Sequence, residues 1–268
     1  MLVDLHTHSR FSFDAPAHST VSAMCERAVK LGLSCLAITD HCDINGEGAG
    51  DAATRAAAFD EIEDCKKRFA GKLTLLGGIE LGQAAQFPAE ARAILAEHPF
   101  DFVLGSLHNF KDVEDFYYMD FSQMPEEQIH AIFDRTLDEL CEMCALGLFH
   151  SLAHITYPHR YLRRDGRDVD FSLFEKKLRT LFSLMIEKGI ALEVNTSTLA
   201  SAGMTLPSRE LLALYRDCGG RLLTIGSDAH APSSMARGFS ETVDMLRALG
   251  FTAFTFPTSQ GIMTFPFD

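Results

Sequence analysis

A rhythm constrains this chain more than any other feature. Seven short, almost wholly apolar runs recur along it, at residues 2–5, 35–39, 73–79, 102–107, 148–153, 191–194 and 222–225. Between them lie stretches with helical spacing. Val21, Met24, Ala28 and Leu31 recur at that spacing ahead of Gly32, and Leu178, Leu181, Phe182, Met185 and Ile186 do so ahead of Gly189, each glycine a natural helix stop. Short runs without polar alternation are strands covered on both faces, and their alternation with helices builds a mainly parallel sheet or barrel. The expected fold class is α/β, in one domain spanning residues 1–268. A late run at 251–256 reads as an extra strand or a closing segment.

Composition narrows the function. The chain has 268 residues, 47% hydrophobic and 23% charged, as soluble globular domains do. Lys and Arg number 24 against 37 Asp and Glu, a formal charge of −13. Such a chain repels polyanions, so nucleic acid and anionic membrane are not expected partners. No apolar run reaches the roughly 18–20 residues that span a bilayer, and the first residues lack the basic flank of a secretory signal. Seven scattered cysteines, an odd number, suit reduced thiols, so a cytoplasmic protein is expected.

The chemistry collects where the apolar runs end. The first runs into His6-Thr-His8 and the second into Thr39-Asp40-His41. The third ends at Glu80, the fourth at His108 and the fifth at His154. The sixth reaches Glu193 and Asn195, and the seventh runs into Asp228-Ala-His230. In a parallel β/α barrel the C-terminal strand ends share one rim, where active sites form. His6 and His8, two apart, face the same side of an extended strand. Mixed imidazole and carboxylate donors suit Zn, Fe or Mn, and their number exceeds what one ion needs. A lone histidine at a strand end is usually structural; so many on one rim are not.

Other motifs carry less. Cys141-Glu-Met-Cys144 lies in a helical pattern with no second pair, so core cysteines are expected. The glycine-rich stretch 46–50 lacks the Gly-Lys-Ser/Thr of a phosphate loop and reads as a turn. His18, His98, His130 and His150 fall outside the rim and are taken as surface or packing residues. Ser106, two residues before His108, is expected to face the same interior.

Taken in order, Asp4-Leu-His6-Thr-His8, Thr39-Asp40-His41, Gly78-Ile-Glu80, Gly105-Ser-Leu-His108, Ala153-His154 and Ser227-Asp228-Ala-His230 resemble the successive motifs of the polymerase and histidinol-phosphatase (PHP) superfamily. Gly78-Ile-Glu-Leu-Gly82 and Leu192-Glu-Val-Asn-Thr196 resemble its histidinol-phosphate phosphatase branch. The resemblance implies a distorted barrel of seven β/α units holding three divalent metals at its C-terminal rim. The first metal would take His6, His8, Glu80 and Asp228, the second Glu80, His108 and His154, and the third Asp14, His41 and His230. Asp14 comes from the resemblance alone.

The implied activity is hydrolysis of L-histidinol phosphate, a small phosphate ester, to L-histidinol and phosphate in histidine biosynthesis. A metal-bridging hydroxide would attack phosphorus, with Asp228 and His230 among the catalytic residues. Asp228 or a metal-bound water would protonate the leaving alkoxide. In such phosphatases an arginine in the loop after the fifth strand binds phosphate, which points to Arg160. A second arginine often follows the Glu-x-Asn-Thr motif, where this chain has Ser197. Arg237 would supply the missing charge, with Ser106 and Asn195 as further substrate contacts. The alternatives are a PHP-type phosphoesterase for nucleotide, sugar phosphate or phosphotyrosine substrates, and a non-catalytic binding module, against which the full ligand set weighs.

Overall fold

The computed structural model describes residues 2–46 and 50–267; residues 47–49, within the glycine-rich stretch 46–50, lie outside it. Seven strands run parallel in the order β1 (Leu2–Asp4), β2 (Leu33–Ile38), β4 (Thr74–Gly82), β5 (Phe102–Ser106), β6 (Ser151–Leu152), β7 (Ala191–Asn195) and β8 (Leu223–Gly226). They lie close to the seven apolar runs. A further strand, β3 (His41–Asp43), continues the course of β2 after a break at Thr39 and Asp40. It pairs with the distal half of β4, His41 opposite Glu80. Three residues are too few to show a period, so the sequence pattern carried no sign of it.

The last parallel strand meets the first. Leu5 N–H donates to Ile225 C=O at 2.9 Å, Asp228 N–H to His6 C=O at 2.9 Å, and His8 N–H to Ala229 C=O at 2.9 Å. The ends of β1 and β8 therefore deliver His6, His8, Asp228 and His230 to one place. The late apolar run forms β9 (Ala253–Thr258), antiparallel to β8, and β10 (Gly261–Pro266) folds back on it as a hairpin.

The connections are helical for readable reasons. In α1 (Val21–Leu31) Thr20 accepts from the Ala23 N–H, and Gly32 closes the helix in the left-handed region at φ 74. Its buried face is Val21, Met24, Cys25 and Ala28, which packs against α2 (Ala52–Phe69) and β2. The helix α4 (Glu126–Leu146) packs on α6 (Glu175–Lys188), which buries Leu178, Leu181, Phe182 and Met185. Ile186, expected on that face, sits at its edge and is 37% exposed. Cys141 and Cys144 lie on α4 as free thiols. A large apolar core thus backs the sheet, and the rim is left to polar residues. No described helix is long and apolar enough to cross a membrane.

Candidate metal centre

Glu80 is the hub of the rim. It is fully buried at the register position opposite His41. Its Oε2 lies 2.9 Å from His41 Nδ1, 3.3 Å from His6 Nε2 and 3.7 Å from His8 Nε2. Its Oε1 lies 3.1 Å from His154 Nε2 and 3.2 Å from His108 Nε2. Asp228 is the second carboxylate, with Oδ1 3.3 Å from His8 Nε2 and 3.6 Å from His6 Nε2. Asp14, from the loop after β1, reaches His230 Nε2 at 2.9 Å and His41 Nε2 at 3.7 Å.

Outward hydrogen bonds aim the imidazoles. His6 Nδ1 meets Glu193 Oε1 at 2.6 Å, and His108 Nδ1 meets Asp43 Oδ1 at 2.8 Å. His8 Nδ1 meets Ser12 Oγ at 3.1 Å, and His230 Nδ1 meets the Asp228 C=O at 3.0 Å. Holding one ring nitrogen outward fixes which nitrogen faces in, the usual support behind a metal ligand. Gly226 makes room for this. A Cβ there would collide with the Glu193 carboxylate and with Cβ of His6.

The inward atoms satisfy one another only in part, His154 Nε2 pairing with Glu80 Oε1 at 3.1 Å. His6 Nε2, His8 Nε2, His41 Nδ1 and Glu80 Oε2 are buried without a partner in hydrogen-bond geometry. His230 Nε2 and His41 Nε2 stand 3.4 Å apart, and His108 Nε2 and His154 Nε2 3.5 Å. Buried polar groups normally pair, so this cluster is built around something else. Its donors fit divalent cations that accept nitrogen and oxygen. The groups His6, His8 and Glu80, then Glu80, His108 and His154, then His8, His41 and His230 each bring ligand atoms within 4.8 Å of one another. So do His6, His154 and Asp228, and His41, Asp43 and His108.

Both carboxylates are held ionised, as a cation site needs. Burial pushes the Glu80 carboxyl up, but His41, His6 and His108 outweigh it and hold the group well below its usual range. Burial likewise opposes ionisation of Asp228, which His6, His8 and Arg160 keep ionised. Burial holds His8 well below its ordinary value, helped by His230 and His41. The backbone is strained at two of these positions, with His154 at φ 24 and Asp228 at φ 54. Such strain gathers at functional sites.

Beside the cluster opens a cavity of about 770 Å³. Asp14, His41, His108, His154, Asp228 and His230 line it together with Tyr117, Tyr118, Tyr157 and Tyr161. Arg160, on α5 (Tyr157–Arg164), enters it and donates from Nη2 to Asp228 Oδ2 at 3.0 Å.

Comparison with known proteins places the chain. A model of the PHP domain matches residues 4–197. The chain belongs to the PHP domain family. A relative from Thermotoga maritima, named "Probable histidinol-phosphatase", is 31% identical over 251 residues, 93% of this chain and 93% of its own. A "Histidinol-phosphatase" from Lactococcus lactis is 25% identical over 255 residues, 93% of this chain and 91% of its own. The crystal structure of histidinol phosphate phosphatase from Lactococcus lactis, complexed with Zn, L-histidinol and phosphate, matches with a TM-score of 0.81 at 22% identity. It covers 97% of this chain and 98% of that one. At that identity the likeness concerns the fold.

The nine positions suggested by the PHP resemblance thus meet on one rim, although Asp228 and His230 lie beyond the matched stretch. Three expected substrate contacts do not reach the cavity. Ser106 ends β5, fully buried, with its Oγ unpartnered and outside the lining. Asn195 is fully buried outside the cavity lining, where its Nδ2 donates to Glu193 and its Oδ1 accepts from Ser197. Beyond β8 the chain turns at Ala236, φ 56, and carries Arg237 into solvent. Asp43 and Glu193, the two carboxylates behind the imidazoles, were not among the candidate site residues. His150 accepts from the Val103 N–H, and His98 stacks on Phe59.

Proposed function

We propose that this chain is a metal-dependent phosphoric monoester hydrolase that converts L-histidinol phosphate and water into L-histidinol and phosphate. The observation that carries the reading is the unsatisfied imidazole–carboxylate cluster around Glu80 beside Arg160, in a chain aligned over 93% of its length with a relative named for that activity.

Up to three divalent ions, Zn, Fe or Mn, fit the donors. His6, His8, Glu80 and Asp228 would hold the first, Glu80, His108 and His154 the second, and Asp14, His41 and His230 the third. Bound there, the ions supply acidity toward water and positive charge for the phosphoryl oxygens. The chain's own groups do the rest. Arg160 binds the phosphate from the cavity wall, where a guanidinium matches phosphate oxygens better than an ammonium. Asp228, ionised despite burial, anchors Arg160, and the proton that the attacking water loses passes to the leaving alkoxide through Asp228 or a water in the cavity. Tyr117, Tyr118, Tyr157 and Tyr161, which also line the cavity, enclose the rest of the ester.

The substrate is a small molecule, and the charge of −13 disfavours polyanionic partners. Seven free cysteines accord with the reducing cytoplasm. The test is turnover of histidinol phosphate before and after complete chelation, with metal content measured by mass spectrometry. Turnover should vanish on chelation and return with Mn, Zn or Fe. Undiminished turnover in metal-free protein would overturn the reading.

A further inference from the structure

Behind Arg160 runs a chain of polar contacts in which each donor finds an acceptor. Arg160 Nη2 donates to Ser197 Oγ. The Ser197 hydroxyl donates to Asn195 Oδ1 at 2.5 Å, and the Ser197 N–H reaches the same oxygen at 3.1 Å. Asn195 Nδ2 donates to Glu193 Oε2 at 3.2 Å. Glu193 Oε2 also takes the His154 N–H at 2.7 Å, and its Oε1 meets His6 Nδ1. Ser197 lies just past β7, and Glu193 and Asn195, two apart on that strand, face one way.

We infer that Ser197 is a positioning residue: it sets the Arg160 guanidinium for phosphate by tying it, through Asn195 and Glu193, to the element that aims His6. Nη2 carries two hydrogens. One goes to Asp228 Oδ2 and the other to Ser197 Oγ, so both are spent. No other protein atom among the described residues takes a hydrogen bond from this guanidinium, and its Nε is buried without a partner. Two acceptors at one corner fix the plane of the group. The Tyr157 ring, centred 5.4 Å from the guanidinium carbon, limits tilt but offers no directional acceptor, so with Asp228 as the one remaining acceptor the group would turn about that bond and the other donors would lose their aim. The serine hydroxyl suits the place because it accepts from the arginine while donating to Asn195, which neither a methyl group nor a second cation can do.

The inference rests on the phosphatase reading, and inorganic phosphate is the probe that keeps the two apart. Binding of phosphate to metal-loaded protein is measured by calorimetry for the wild type, Ser197→Ala and Ser197→Thr, with metal content and melting temperature taken on each. Ser197→Ala should weaken phosphate binding about fivefold, the size of one net hydrogen bond, with metal content and melting temperature unchanged. Ser197→Thr, which keeps the hydroxyl, should restore binding to within twofold. Equal phosphate affinity in Ser197→Ala and the wild type would overturn the positioning role alone. Equal weakening in both variants, with a lowered melting temperature, would overturn it in favour of plain packing. A metal-loaded wild type that neither binds phosphate nor turns over histidinol phosphate would overturn both readings.

Discussion

Glu193 Oε1 and His6 Nδ1, carried by residues 187 positions apart in the chain, meet at 2.6 Å. The other oxygen of Glu193 takes the His154 N–H, so one buried carboxylate holds a side chain just past β1 and the backbone after β6. Burial alone would push the His6 imidazole down, but Glu193, Glu80 and Asp228 together hold it well above its ordinary value.

Glu193→Gln keeps the shape and removes the charge. It should weaken metal binding about tenfold or more, as loss of a partner behind a metal ligand does. Titration of the chelated protein with Mn or Zn checks this. Unchanged affinity would show that Glu193 merely fills space.

Glu80 has no substitute of equal charge and reach. Glu80→Ala should empty the two sites that share it and remove nearly all turnover. Full metal occupancy together with more than about a tenth of the wild-type rate, within roughly 1.4 kcal/mol, would contradict its bridging role.

Much of this centre was legible in the sequence, for a physical reason. Strands covered on both faces are apolar throughout, so a histidine or acid at their ends stands out, and a parallel fold puts those ends on one rim. That logic reached His6, His8, His41, Glu80, His108, His154, Asp228 and His230. Asp14 sits in a loop, where no periodicity marks a residue, and only the family resemblance pointed to it. What the pattern could not carry was pairing. Glu193 was visible as a strand-end acid, but only the folded chain shows it against His6. Asp43 lies on a three-residue strand and meets His108 across 65 positions. The error over Asn195 has the same root: a polar residue on an inward face serves the cavity or the layer behind it, and spacing does not distinguish them.

Arg160→Ala should lower kcat/KM about a hundredfold, or about 2.7 kcal/mol of lost transition-state stabilisation, with metal content unchanged. Arg160→Lys should recover little, because an ammonium cannot fill the contacts to Asp228 and Ser197 while still gripping phosphate. Steady-state kinetics beside metal analysis checks both. An alanine variant within threefold of the wild type would leave the phosphate to the metals alone.

The most direct test is the ratio of kcat/KM values for L-histidinol phosphate and for p-nitrophenyl phosphate and AMP, measured on one metal-loaded preparation. The account predicts that histidinol phosphate is preferred by about a hundredfold or more, a difference of about 2.7 kcal/mol in transition-state binding. Turnover of histidinol phosphate no faster than that of the other two esters would contradict it.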